Sequence, residues 1–432
     1  LSGLADGAGV TPVKLRASHI TSGGGDVILL DLGDPTGRFV DISANGWTVV
    51  DPAEEKDPGN LRAVFRRTAA TGVLPVPEPG GTRDELRELL GLDADDPRWK
   101  LVWGWLVAAL FESVPRPILW ALGPQGSGKS TRARMILSVL EPTDALGREP
   151  GRNERDDSTA AAGRFIPSWD NIGNVSAATS DWLCRIVTGV EIARRELYTD
   201  DSLRVSVLRR TGVATSIVLP YGLGPDALER LVLVEFERIA DDNRRSETEL
   251  WTEFRRRHSR ILGALLDDVV GVLRCLPDVR REDGPRPRMA DYAEILFALD
   301  EHTDGAYEFG PAYIASVTGV LADRAKEDPL TAALLSLAKR AGGSWEGTAA
   351  TMLRAIDHDR PDDPRAPWPT SAKSLGAALR RGQETLRAAG LEISSRRSNG
   401  KSLFRLTLRD DAVIEDVDGG DVATVADLFR IA

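Results

Sequence analysis

The octet Gly123, Pro124, Gln125, Gly126, Ser127, Gly128, Lys129, Ser130 spells G-x-x-x-x-G-K-S, a pattern with few structural solutions. Its glycines let the backbone curl until successive N–H groups converge on one point, and a helix starting beside Lys129 aims its positive end at the same place. Such a loop works only between a strand and a helix. Both flanks comply: Pro117 to Leu122 reads as a short buried strand, and Thr131 to Leu140 carries apolar Met135, Ile136, Val139 and Leu140 on a helical period. The expectation is an α/β P-loop NTPase that takes a nucleoside triphosphate and Mg²⁺. Residues Gly123 through Thr131 would surround the phosphates, with Lys129 on the β- and γ-phosphates and the Ser130 hydroxyl on Mg²⁺.

Composition narrows the setting. The 432 residues leave room for two to four domains, and 42% hydrophobic with 28% charged residues is enough for a packed core. No apolar run approaches the ~20 residues of a membrane span, and no basic segment precedes a hydrophobic stretch at the N-terminus, so a cytoplasmic protein with no membrane partner is expected. The first residue is Leu1 rather than Met, which suggests a fragment or a processed chain. Cys184 and Cys275, with His19, His258, His302 and His358, cannot be assembled by spacing into a disulfide framework or a zinc site. Both cysteines read as reduced core residues. The net charge of −11 argues against a uniformly DNA-coating surface but conceals local patches.

Along the chain, residues 1–80 read as a small β-rich domain of short apolar runs (26–31, 37–41, 46–50) between turn residues, with Pro75 to Gly81 as a linker. No polymerase-type acidic cluster appears there. A helical segment, 81–114, includes the apolar stretch Trp99 to Glu112, whose tryptophans read as core rather than a ligand-stacking surface. The nucleotide domain, 115–279, ends in a long helix expected from Glu247 to Leu273. A helical linker, 280–327, leads to a C-terminal domain, 328–409, and an acidic tail, 410–432.

Within the nucleotide domain Arg164 to Asp170 is a hydrophobic run ending in an acid, which makes Asp170 the candidate Walker B carboxylate on Mg²⁺; Pro167 is unusual for a central strand. Gly212 to Ser216 reads as a further strand whose Thr215 or Ser216 could sense phosphate. Arg230, just before the apolar strand Leu231 to Phe236, could reach a neighbouring subunit's γ-phosphate.

The order GPQGSGKS, FIPSWDN, IARRELYTDD, GVATS, DALERLVLVEF resembles the ATPase domain of superfamily 3 helicases, and more narrowly the helicase part of primase-helicase proteins of actinobacterial phages, plasmids and integrated elements. The resemblance covers about Ser18 to Leu408, most specifically Ile118 to Ile239. It implies an AAA+-like fold, a homo-hexameric ring, Mg²⁺-dependent ATP hydrolysis and movement on single-stranded DNA. It also implies a pore hairpin, for which Arg195 to Thr199 and Leu203 to Val207, joined by Asp200 to Ser202, have the length; Arg194, Arg195, Tyr198 and Arg204 would contact DNA. Two departures stand out. Asn171 replaces the usual second acid, leaving the general base to Asp170 through water or to Glu154, and Thr-Ser stands where the sensor is commonly asparagine.

The C-terminal domain reads as three helices (329–341, 345–357, 371–389) and a hairpin (391–395, 402–408) about Ser398-Asn399-Gly400, the order of a winged helix. Nine basic residues against two acids between Ser371 and Arg409 give a local balance of +7. Arg380 and Arg381 on the third helix, with Arg396, Arg397 and Lys401 on the wing, are candidates for phosphate contacts with duplex or forked DNA. The acidic tail could bind a replication partner. The function expected is an ATP-dependent DNA helicase or translocase of a mobile element, acting in replication. The alternative is a nucleotide-gated replication initiator, or a phage-defence NTPase, without processive unwinding.

Overall fold

The computed structural model describes residues 13–22, 25–54, 64–151, 153–195, 203–220, 222–240, 242, 244–280, 287–361, 368–398 and 401–409. They fall into two compact units, Leu1–Thr318 and Gly319–Ala432.

The first unit begins with β1 (Val13–Lys14) and an antiparallel meander of β2 (Ala17–Ser22), β3 (Gly25–Asp31), β4 (Phe39–Ser43) and β5 (Gly46–Val50); β6 (Val64–Phe65) pairs with β1. Ile28, Leu30, Val40 and Ile42 are fully buried, while alternation along the strands puts Leu29 and Phe39 in a smaller cluster with Val27, Val50 and Phe65. Then follow α1 (Asp84–Leu90), α2 (Pro97–Ala109), β7 (Ile118–Leu122), α3 (Lys129–Ser138), α4 (Glu154–Ala162), β8 (Ser168–Trp169) and α5 (Ala177–Thr188). A hairpin of β9 (Val190–Arg195) and β10 (Leu203–Leu208) precedes β11 (Val213–Ser216), α6 (Pro225–Leu228), β12 (Leu231–Glu235) and α7 (Glu247–Val279). Helix α8 (Ala290–His302) and the first part of α9 (Phe309–Glu327), which runs on past Thr318 into the second unit, complete the series.

Local chemistry sets the helix starts. The Asp96 side chain accepts from Arg98 N–H with Pro97 in the first turn of α2, and Ser246 does the same for Glu249 N–H in α7. Helix α2 is buried nearly all round, as its tryptophans require: Trp103 Nε1 donates to Asp268 Oδ2 at 2.6 Å and Trp105 Nε1 to Pro117 C=O at 2.9 Å. Arg83 also binds Asp268, and although burial works to raise that carboxyl, His302, Arg83 and Trp103 hold it below its ordinary value. Helix α7 runs six residues past the expected Leu273 and carries Pro277 inside its last turn, where the proline has no N–H to donate to the carbonyl four residues back.

Two sequence readings change here. The β-rich segment is not a separate domain, since it belongs to the first compact unit and packs on α7, with Trp47 Nε1 donating to Asp267 Oδ1 at 2.8 Å. The proline-glycine stretch read as a linker lies flush against the same helix: Glu78 N–H donates to Ser259 C=O at 3.0 Å. A Cβ on Gly81 would lie 1.9 Å from Arg260 O, and one on Gly263 would lie 1.8 Å from Glu78 O. These glycines allow two backbones to touch. The cysteines are free and half-buried rather than core.

In the second unit α10 (Pro329–Arg340), β13 (Ser344–Thr348), α11 (Ala349–Ala355), α12 (Ala372–Arg381), α13 (Gln383–Ala388), β14 (Leu391–Ser398) and β15 (Lys401–Leu408) surround one core. Leu334, Met352, Leu375, Leu379, Leu391 and Leu406 are buried in it. The sheet is antiparallel in the order β13-β15-β14. Two expected helices are corrected. Residues 344–348 form a strand because β15 offers them a partner edge, and the helix starts only where the Thr348 side chain caps Thr351 N–H. The segment 371–389 is two helices, α12 opened by a Ser371–Ser374 capping box and closed at Gly382. Among the described residues no helix is long and apolar enough to cross a membrane.

Candidate functional site

The central sheet of the first unit is all parallel, in the order β12-β7-β11-β8. The connection from β7 to β8 passes over β11, and that from β11 to β12 passes back over β7, so the chain reverses direction between β7 and β11. Ligands in open α/β sheets occupy the crevice at the carboxyl ends of such strands. The glycine-rich octet leaves β7 at this end. Gly123 approaches the next loop so closely that a Cβ would lie 2.3 Å from Phe236 O, and Gly128 caps α3 at φ 68°, where a side chain is strained. Arg132, in the first turn of α3, donates to Ser127 C=O and, from Nε, to Leu90 C=O at 2.8 Å, which fixes the loop from behind. Ser127 is fully buried, and its hydroxyl has no hydrogen-bond partner among the described residues.

Among the described residues β8 lies at the edge of this sheet, and Pro167 is tolerated because it falls just before the first strand residue; its carbonyl accepts from Val213 N–H at 3.0 Å. Asp170 follows β8 and meets two hydroxyls. Ser130 Oγ donates to Asp170 Oδ1 at 2.9 Å, and Thr215 Oγ1 donates to the same oxygen at 2.6 Å. Asn171 N–H donates in turn to Thr215 Oγ1 at 2.8 Å, with Asn171 at φ 54°, a left-handed conformation that asparagine tolerates. Strand alternation separates the two sensor candidates: Thr215 faces Asp170, whereas Ser216 Oγ accepts from Trp120 Nε1 at 2.8 Å. The three segments thus converge from positions 85 residues apart.

The donor set suits a hard cation. Two oxygens on adjacent vertices of an octahedron with bonds of about 2.1 Å lie about 3.0 Å apart, close to the Ser130–Asp170 separation. Among the described residues no group of three or more His, Cys, Asp or Glu could hold a metal by itself, so substrate oxygens and water would complete the shell.

Other candidates are placed differently. Glu154 is exposed on the first turn of α4 and pairs with Arg185 Nη2 of α5 at 2.8 Å, away from the crevice. Arg230 sits where β12 begins, its carbonyl accepting from Ile118 N–H at 2.9 Å. That is the opposite end of β7 from the glycine-rich loop, roughly 16 Å away at 3.3 Å per residue, so Arg230 cannot serve the loop of its own chain. Several residues escaped the sequence reading. A Cβ on Gly126 would lie 3.4 Å from Arg244 Nη2 and 4.0 Å from Arg238 Nε, while Ile239 N–H donates to Gly126 C=O at 3.2 Å. Arg148 and Glu149 line a crevice of about 690 Å³ together with Asp170 and Asn171. The available signal was two arginines just after an apolar strand.

Of the DNA-contact candidates, Arg194 and Arg204 are cross-strand partners in the β9–β10 hairpin, as are Arg195 and Leu203. Among the described residues the first arm runs from Val190 to Arg195; the rest of the expected arm, with Tyr198, and the turn 200–202 lie outside the described residues. In the second unit Arg380 and Arg381 are exposed in the last turn of α12. Arg396 is paired with Glu346 of β13, which also holds Arg405 at 2.7 Å, so Arg396 is not a free phosphate ligand. Arg397 is exposed on β14, and Lys401 opens β15 opposite Ser398. Asn399, Gly400 and the tail from Asp410 lie outside the described residues.

Residues 86–324 match the family model described as actinomycete integrative conjugative element replication protein, more than half of the chain. The chain belongs to this family. Residues 330–416 match the model described as the C-terminal domain of the same RepA proteins. No curated protein matches. Among solved structures the chain is similar to the C-terminal region of NrS-1, at 12% identity over 88% of this chain and 97% of that one, TM-score 0.37. It is similar to SCCmec type IV Cch, titled an active helicase, at 12% identity over 92% and 79%, TM-score 0.41. JCV helicase aligns at 15% identity over 55% and 73%, TM-score 0.25. Superpositions this loose carry no argument about the present chain.

Proposed function

We propose that this replication protein is an ATP-dependent DNA helicase or translocase of the superfamily 3, AAA+-like type. The observation that carries the reading is the convergence of Ser130, Asp170 and Thr215 beside the glycine-rich loop at the switch point of a parallel sheet. In this reading backbone N–H groups of Gly123 to Thr131 and the Lys129 ammonium bind the triphosphate of ATP. Ser130 and Asp170 hold Mg²⁺, which when bound neutralises charge between the β- and γ-phosphates. Thr215 holds Asp170 in place and senses the phosphate side. Arg238 and Arg244 add positive charge above Gly126.

Arg230, remote from its own loop, acts only if it completes a neighbour's site, which accords with a homo-hexameric ring. In this reading the hairpin in which Arg194 and Arg204 are backbone register partners is the element that meets single-stranded DNA. The second unit, helices followed by a three-stranded antiparallel sheet, supports a winged helix that meets duplex or forked DNA through Arg380, Arg381, Arg397 and Lys401.

The test is ATP hydrolysis with Mg²⁺, with and without single-stranded DNA, in wild type and Lys129→Ala, followed by displacement of a labelled strand from a forked duplex. Hydrolysis stimulated by DNA, lost in Lys129→Ala and coupled to displacement supports the helicase. Hydrolysis absent in wild type under all conditions sinks it. ATP binding without hydrolysis, a possibility raised by Asn171 in place of an acid, puts a nucleotide-gated replication initiator first.

A further inference from the structure

The geometry points to Glu149 as the carboxylate that orients and deprotonates the attacking water, taking the place of the acid missing at Asn171. This rests on the ATPase reading above. Asp170 Oδ1 is committed to Ser130 and Thr215 on the cation side of the site. Asn171 offers an amide, which is not a base, and its backbone N–H is committed to Thr215. Glu154 is paired with Arg185. A carboxylate must therefore come from another segment.

The chain supplies one along the outer edge of β8. Gly147 C=O accepts from Asp170 N–H at 2.8 Å, and Gly147 N–H donates to Ser168 Oγ at 3.0 Å. Contact is close enough that a Cβ on Gly147 would lie 2.2 Å from Ser168 O. This pins the segment level with Asp170. Two residues further, Glu149 is exposed and lines the same crevice of about 690 Å³ as Asp170 and Asn171, and Asp170 in turn is bonded to Ser130 of the glycine-rich loop. In the step assigned to it, the water oxygen forms a bond to the γ-phosphorus. The bond from that phosphorus to the β–γ bridging oxygen breaks, its electron pair leaving with ADP. Glu149 takes the water's proton and passes it to the released phosphate or to solvent.

The experiment uses the full chain in four forms: wild type, Glu149→Gln, Glu154→Gln and Lys129→Ala. Steady-state ATP hydrolysis is measured with single-stranded DNA, and affinity with Mg²⁺ and the fluorescent analogue mant-ATP. Glu149→Gln is expected to lower hydrolysis about 100-fold or more, with mant-ATP affinity within about threefold of wild type and an unchanged thermal midpoint; Glu154→Gln stays near wild type in both. Hydrolysis at the wild-type rate in Glu149→Gln overturns the assignment while leaving the ATPase reading intact. Loss of mant-ATP binding along with hydrolysis also overturns it, because the residue would then be structural. Wild type that hydrolyses no ATP overturns both readings together.

Discussion

Replacing Thr215 by valine keeps the shape of the side chain and removes the one hydroxyl that ties two strand ends together. Thr215 is fully buried on β11, donates to Asp170 Oδ1 at 2.6 Å and accepts from Asn171 N–H at 2.8 Å. Losing a hydrogen bond to a charged group costs about 1.5–3 kcal/mol, and leaving the Asn171 N–H without its acceptor costs about 1–3 kcal/mol more. Both partners are only partly buried, so the sum belongs in the lower half of the range, about 3 kcal/mol. At about 2.1 cal/mol/K per residue, a cooperative unit of roughly 300 residues then melts about 5 °C lower. Thermal unfolding followed by circular dichroism, with Thr215→Ser as control, reads this directly. Serine keeps both bonds and should lose less than half as much. A Thr215→Val midpoint within 1 °C of wild type would refute the claim that this hydroxyl holds Asp170 in position.

Two further outcomes test other parts of the structure. Gly263→Ala places a Cβ 1.8 Å from Glu78 O, so urea unfolding should show a loss of about 2 kcal/mol or more, whereas Gly319→Ala, with open space around its Cβ on α9, should gain about 0.5–1 kcal/mol. Arg238→Ala should weaken mant-ATP binding about tenfold or more, the equivalent of one charge-assisted hydrogen bond; affinity within twofold of wild type would place Arg238 off the phosphates.

How much of this was legible in the sequence depended on how local the chemistry is. The glycine-rich loop could be read whole because its glycines, lysine and serine are contiguous and its strand and helix are immediate neighbours. Asp170 was found from a local pattern, and Pro167 looked wrong only because the sequence does not mark that β8 starts one residue later, at Ser168. Thr215 and Ser216 are adjacent in the chain with the same hydroxyl chemistry; the pleat sends one to Asp170 and the other to Trp120, and no local signal decides which. Residues 344–348 carry no strong strand signal and become a strand because β15 lies beside them.

The sequence alone thus determined an α/β framework around a glycine-rich loop and a basic C-terminal segment, since both are written in contiguous residues whose backbone and charge act within a few positions. Only the tertiary structure decided that the β-rich segment shares a unit with that framework, that Glu154 belongs to Arg185, and that Glu149 and Arg238 stand by the site. Those outcomes depend on backbones meeting across long sequence separations, at Gly81 and Gly263 on one side and at Gly147 on the other, and close approach of that kind is a property of packing that no single segment contains.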